Sequence, residues 1–353
     1  MTITEPATAT APSPAPSPQA AMRLRELVFG AACAAAVRAA ASLGVADALG
    51  EQPMTVDQLA AAVQAEPRPL RRLLRALSCY GVFTETEDDR YAHTDMSRQL
   101  REDAPNSLRH IALWCTEPWT WQAWPRLDEA VRSGRNIFPD LYGKEFFDYL
   151  HSDAADSAKV FNQAMTSSSR QSAADLAAFL DDLDGVSSVV DIGGGQGHVL
   201  ASLLEKHPHL HGTLLDLPQV VANADPRLLP GGALADRTRL VPGDCRVEIP
   251  VQADLYIIKN ILEWDDESTR RTLRNVLAAA RPGARLVVVE NLVDDSPSMR
   301  FTTAMDLMLL LNVGGAKHSR ESMLALMTEA GLLVRDVRPV NPYLHAFEST
   351  VPA

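Results

Sequence analysis

Four cysteines in 353 residues, Cys33, Cys79, Cys115 and Cys245, share no C-x-x-C spacing. That excludes zinc clusters and a disulfide framework, and leaves reduced, structural thiols as the expectation. Positive charge is also in the minority. There are 33 Lys and Arg against 45 Asp and Glu, a net charge of -12, which argues against general binding of nucleic-acid phosphates. No apolar run approaches the ~20 residues that span a bilayer, so no membrane segment is expected and a cytoplasmic location is. Aromatic residues are only 6% of the chain, whereas hydrophobic residues as a whole reach 46%, ample for two cored domains.

Composition changes along the chain set the expected boundaries. Residues 1–20 are an Ala/Pro/Thr/Ser tail without Lys or Arg and without a compact apolar core before a cleavage site, so disorder is expected there. Helical spacing runs from Met22 through Leu43. Thr55 then caps a second apolar stripe to Val63, Pro67 to Leu77 reads as a third helix, and Gly81-Val82-Phe83 and Tyr91 to Thr94 read as short strands. Residues 21–110 are therefore expected to form a winged-helix-like, mostly α-helical module. Arg68, Arg71, Arg72 and Arg75 on its third helix invite a DNA-binding reading. The acidic balance favours a solvated face or one that meets a second subunit.

Residues 111–180 gather the scarce aromatics: Trp114, Trp119, Trp121, Trp124, Phe138, Tyr142, Phe146, Phe147, Tyr149 and Phe161, with Met165 nearby. Core packing explains aromatics at helical spacing; a pocket for a flat substrate explains them equally well. Trp114, Phe161 and Met165, with Met308 and Asn312 further on, are the candidate substrate contacts.

From residue 181 onward an α/β pattern of doubly wound, Rossmann-like type begins. Val189-Val190-Asp191-Ile192 reads as a strand, Gly193-Gly194-Gly195-Gln196-Gly197 as a glycine turn, and Val199 to His207 as a helix. The dinucleotide form of such a turn is G-x-G-x-x-G, with an acid about 20 residues on. Here Asp191 precedes the glycines and His198 stands where the third glycine would fall. A carboxylate there repels a pyrophosphate and accepts from an ammonium or amide. Asp216 ends the next apolar run, placed to take two ribose hydroxyls. Asp244 ends a third and is placed to accept from an adenine amino group. Three acidic strand ends along one crevice point to a cationic, phosphate-free cofactor, and S-adenosylmethionine (SAM) fits.

The ordered strings F-N-Q-A-M at 161–165, D-I-G-G-G-Q-G at 191–197, L-L-D-L-P at 214–218, G-D-C at 243–245, Ile258-Lys259, W-D-D at 264–266 and V-G-G at 313–315 resemble one family. It is the bacterial small-molecule O-methyltransferases of antibiotic biosynthesis, its mitomycin and anthracycline members among them. The resemblance implies a homodimer built by the N-terminal winged-helix-like domain and a SAM-dependent methyltransferase domain over 181–353. It also implies a small aromatic or quinone-like acceptor. Asp191, Gly193, Gly195, Asp216, Leu217, Gly243, Asp244, Cys245 and Lys259 are then the cofactor positions.

The chain departs from the family where catalysis is expected. Most relatives read L-H-D-W-D-D, with the His as general base; this chain reads Leu262-Glu263-Trp264-Asp265-Asp266, one residue shorter and without the His. Relatives read G-G-x-E-R-T where this chain has Gly314-Gly315-Ala316-Lys317-His318-Ser319, so Lys317 replaces the Glu that orients the base. The anthracycline members lack the same His and Glu. Glu290, ending the Leu286–Val289 strand, matches a retained acidic position. Glu263 is the substitute base, or else a carboxylate at the N-terminus of a helix from Trp264 to Leu277. His318 is the other candidate, or else an exposed loop histidine.

Losing a positioned base costs ~10²–10⁴-fold, whereas alignment of reactants is worth ~10⁵–10⁸ M, so methyl transfer survives such a change in principle. The same losses leave open an enzyme that keeps SAM without methylating, such as a hydroxylase, decarboxylase or pericyclase, and a metabolite-sensing regulator. His207, His209 and His211 alternate, but Pro208 between them and the lack of an accompanying carboxylate or Cys favour a solvated turn over a metal site.

Overall fold

The structure, a computed structural model, describes residues 17–105 and 107–352. Most of the tail expected to be disordered, residues 1–16, lies outside the described residues, while Pro18 already begins a helix. The chain divides into two compact units, Met1–Arg101 and Glu102–Ala353.

In the first unit the single helix expected from Met22 to Leu43 is two, Pro18–Val28 and Gly30–Leu43, bent by 44° at the break. The break falls where Gly30, a poor helix former, follows Phe29. No single described helix is long and apolar enough to cross a membrane. The helix Val56–Ala62 opens on a capping box in which Thr55 and Gln58 each bond the other's backbone N–H, at 3.3 and 2.9 Å. Strands β1 (Met54–Thr55), β2 (Phe83–Thr86) and β3 (Arg90–His93) pair antiparallel in the order β1-β3-β2 beside the helix Pro67–Cys79, the parts of a winged helix. Two of the four arginines on that helix are tied to its own wing. Arg71 pairs with Asp89 at 2.5 Å and Arg75 with Glu85 at 3.5 Å.

The second unit holds a seven-stranded sheet. Its strands are β4 (Ser188–Ile192), β5 (His211–Asp216), β6 (Thr238–Pro242), β7 (Leu255–Lys259), β8 (Arg285–Glu290), β9 (Leu333–Asn341) and β10 (Leu344–Thr350). Their order is β6-β5-β4-β7-β8-β10-β9; β4 to β8 pair parallel, and β10 pairs antiparallel with β8 and β9. The central strands are apolar on both faces because helices cover both. Alternate residues feed two cores: Val189, Leu214, Ile257 and Val287 on one side, Val190, Leu215, Ile258 and Val288 on the other.

From β4 the chain winds outward through β5 and β6, then returns to start β7 on the other side of β4. Such a reversal opens a crevice at the carboxyl ends of the strands. The aromatic segment expected as a separate stretch over 111–180 belongs to this same unit. Its 25-residue helix Ala155–Phe179 runs beside the helix that follows β4.

Candidate active site

The glycine turn is shaped by three left-handed residues, Gly193, Gly195 and Gly197, at φ 62°, 60° and 81°. Its neighbours leave little room: a Cβ on Gly194 would stand 2.5 Å from the Asp191 carboxyl, and one on Gly197 2.5 Å from Leu228. Gly195 is different, since nothing lies within 4 Å of where its Cβ would stand. There the turn faces open space. The Gly195 and Leu217 amides both donate to the Asp216 carboxylate, at 2.8 and 2.7 Å, which pins the end of β5 to the turn after β4.

A cavity of about 280 Å³ opens on this turn. Asp191, Gly193, Gly195, Asp216, Leu217, Gly243, Asp244, Cys245 and Lys259 all line it, as do Trp114, Phe161, Met165, Met308, Asn312 and Glu263. The acidic strand ends therefore do share one crevice, in different electrostatic states. Burial pushes the Asp191 carboxyl up to about 7, and its Oδ2 has no hydrogen-bond partner. Burial pushes Asp216 up to about 6 against the two amides that it accepts from. Asp244 also suffers burial, but the guanidinium and backbone N–H of Arg246 outweigh it and hold the carboxyl below its usual range. Burial pushes the Cys245 thiol up to about 12 and the Lys259 ammonium down, although the carboxylates of Asp191, Glu290 and Glu263 favour its charge.

The catalytic candidates separate. Glu263 lines the cavity, and its Oε1 is held by the Lys317 ammonium; both side chains are largely buried. It is not a helix carboxylate, as the alternative held: that helix begins at Asp266 and is capped by Asp265, which accepts from Ser268 at 3.0 Å. His318 and Glu290 do not line the cavity. His318 is buried rather than exposed, with Nε2 2.6 Å from the Leu262 carbonyl. A carbonyl only accepts, so Nε2 carries the proton and has no lone pair to act as a base. Glu290 accepts from the Leu262 amide at 3.3 Å; burial first, then the charge of Glu263, push its carboxyl up to about 8. His318 and Glu290 thus clamp both sides of the residue that precedes Glu263.

Among the lining residues that the sequence reading missed, three stand out. Arg246 lies 5.1 Å over the Trp264 ring while holding Asp244. Gln196 accepts from Thr166 at 2.7 Å, tying the aromatic-bearing helix to the glycine turn. Asn260 follows β7 at φ 52°, a left-handed position that asparagine tolerates, and its Oδ1 is buried without a partner. Among the described residues no group of three or more His, Cys, Asp or Glu could hold a metal ion.

Two family models match the chain: an O-methyltransferase domain over residues 124–333 and an O-methyltransferase dimerisation domain over 25–103. The chain belongs to the O-methyltransferase family. This member is 39% identical to a mitomycin biosynthesis 6-O-methyltransferase of Streptomyces lavendulae over 90% of each chain. The structure of the mitomycin 7-O-methyltransferase superposes with a TM-score of 0.85 at 38% identity, covering 94% of this chain and 98% of that one. An O-methyltransferase from neocarzinostatin biosynthesis, solved with SAM and 2-hydroxy-5-methyl naphthoic acid, superposes with a TM-score of 0.77 at 32% identity, covering 91% and 96%.

Proposed function

We propose that this O-methyltransferase uses SAM to methylate a hydroxyl of a planar aromatic or quinone-like secondary metabolite. The observation that carries the reading is one cavity with two characters: acidic strand ends around an open glycine turn, and apolar lining from Trp114, Phe161, Met165 and Met308 together with the Glu263 carboxylate. The acidic end suits the cofactor. Asp191 has a buried carboxylate oxygen without a partner, Asp216 keeps acceptor capacity beyond its two amides, and Gly195 leaves space where a side chain would intrude. With Asp244, Leu217, Gly243, Cys245 and Lys259 these residues would hold SAM, which when bound supplies an electrophilic methyl group.

The rest falls to the chain's own side chains. The aromatic wall fixes the plane of the acceptor and excludes water. Glu263 accepts the proton of the reacting hydroxyl, and Lys317 fixes the position of its carboxylate. Glu290 and His318 act one step away by holding the Leu262 peptide. Most of the rate then comes from alignment, with the base adding ~10²–10⁴-fold. We further propose that the chain works as a cytoplasmic homodimer through its N-terminal unit.

The test is incubation with SAM and a panel of polycyclic phenols and hydroxyquinones, with mass spectrometry of the products. A gain of one methyl with one equivalent of S-adenosylhomocysteine supports the reading. An oxygenated or decarboxylated product without S-adenosylhomocysteine overturns it in favour of a non-methylating enzyme.

A further inference from the structure

Unpartnered buried polar atoms collect at the cavity. Besides Asp191 and Asn260, they include the indole Nε1 of Trp114 and of Trp119 and the Oδ1 of Asn312, all on lining residues. An indole N–H donates and cannot accept, so only an acceptor atom relieves it. A buried donor left without one is costly, and the structure supplies neither Trp114 nor Trp119 with a partner from the described residues.

Trp114 stands at the aromatic end. It is 7% exposed and meets the Phe161 ring edge-on at 5.7 Å. Phe161 precedes Thr166, which bonds the glycine turn, by five residues of one helix, a rise of roughly 7.5 Å. Asn312 follows Met308 by one turn of the same helix and lies two residues before the Gly314-Gly315 turn, where Gly315 packs on the Glu263 carbonyl. A flat ligand in the cavity thus shares it with a carboxylate, an amide and an indole donor, each on a different element.

Resting on the reading of this cavity as the acceptor site, we propose that Trp114 determines specificity for acceptors that carry a carbonyl-type oxygen away from the reacting hydroxyl. The acceptor class is then a hydroxyquinone or hydroxyketone rather than a simple phenol. Trp114 Nε1–H donates to that oxygen, while the indole ring stays in the wall, edge-on to Phe161.

The probes are 5-hydroxy-1,4-naphthoquinone and 1-naphthol, which share a hydroxyl on a fused ring and differ in the carbonyls. Binding to the enzyme loaded with S-adenosylhomocysteine is measured by calorimetry. The wild-type enzyme is expected to bind the quinone about five- to tenfold more tightly than the naphthol, and Trp114→Phe is expected to bring that ratio close to one, whatever the common change in both affinities. An unchanged affinity for S-adenosylhomocysteine reports that the variant is folded. Equal wild-type affinities, or a Trp114→Phe variant that keeps the wild-type ratio, overturn the proposal and leave methylation of phenols standing. A wild-type enzyme that binds neither probe overturns the proposal and the acceptor-site reading together.

Discussion

At the scale of single residues, the Glu263–Lys317 pair concentrates most of the consequences. Both partners are largely buried, and breaking such a pair by removing one charge costs about 3–5 kcal/mol because the other is stranded. Lys317→Met is therefore expected to lower the thermal midpoint sharply, and adding Glu263→Gln to recover most of the loss. A double variant no more stable than Lys317→Met alone would contradict the pairing. Glu263→Gln by itself should lower kcat by about 10²–10⁴-fold with SAM affinity unchanged; an unaltered kcat removes Glu263 as the base. The buried acids add a pH signature. Asp216, Asp191 and Glu290 sit at about 6, 7 and 8, above their ordinary unfolded values near 4. Between those limits the folded chain holds protons that the unfolded chain has lost, so the stabilisation is complete below pH ~4 and is lost as pH rises through 6 to 8. A cationic ligand beside Asp191 and Asp216 pulls their protons off. Calorimetry of SAM binding near pH 6.5, in two buffers of different ionisation enthalpy, should show proton release, and uptake would contradict the assignment.

At the scale of elements, the glycine positions separate stability from binding. A Cβ at Gly315 would lie 1.8 Å from the Glu263 carbonyl oxygen and 2.7 Å from its carbon, backbone atoms that cannot yield, whereas one at Gly195 meets nothing within 4 Å. Gly315→Ala should therefore depress the melting temperature and kcat together. Gly195→Ala, apart from a strain of about 1–2 kcal/mol for its left-handed backbone, should chiefly weaken SAM binding. The reverse pattern would mean that the open space at Gly195 is not the ligand's. These elements were legible because their signals are local. Two-sided apolar runs, a glycine turn and an acid at each strand end lie within a few residues of one another, and Thr55 with Gln58 spells out its own cap. What pairs across the fold was not legible. Lys317 meets Glu263 from 54 residues away, and His318 is spent on the Leu262 carbonyl. Lys317 replacing an expected Glu beside a new Glu263 was the one trace of that exchange in the sequence. The break at Phe29 was hidden because both sides of it keep helical spacing.

At the scale of the whole molecule, the division into two units separates assembly from chemistry. Every residue lining the cavity falls between Trp114 and Trp264 or between Met305 and Val313, all within the second unit. The first unit, which matches the dimerisation domain, presents Leu24, Leu27, Val28 and Phe29 at 62 to 72% exposure on and just after its first helix. Four neighbouring apolar side chains in water form a patch that association would cover. Replacing Leu27 and Phe29 with Glu places two like charges on that patch and should convert a dimer to a monomer, read as a halved mass by light scattering. Cofactor affinity should stay within about twofold, because no lining residue is altered, while the thermal midpoint should lose its dependence on protein concentration. A variant that stays dimeric would remove the patch from the interface. One that becomes monomeric and no longer binds SAM would show that the cofactor site depends on assembly.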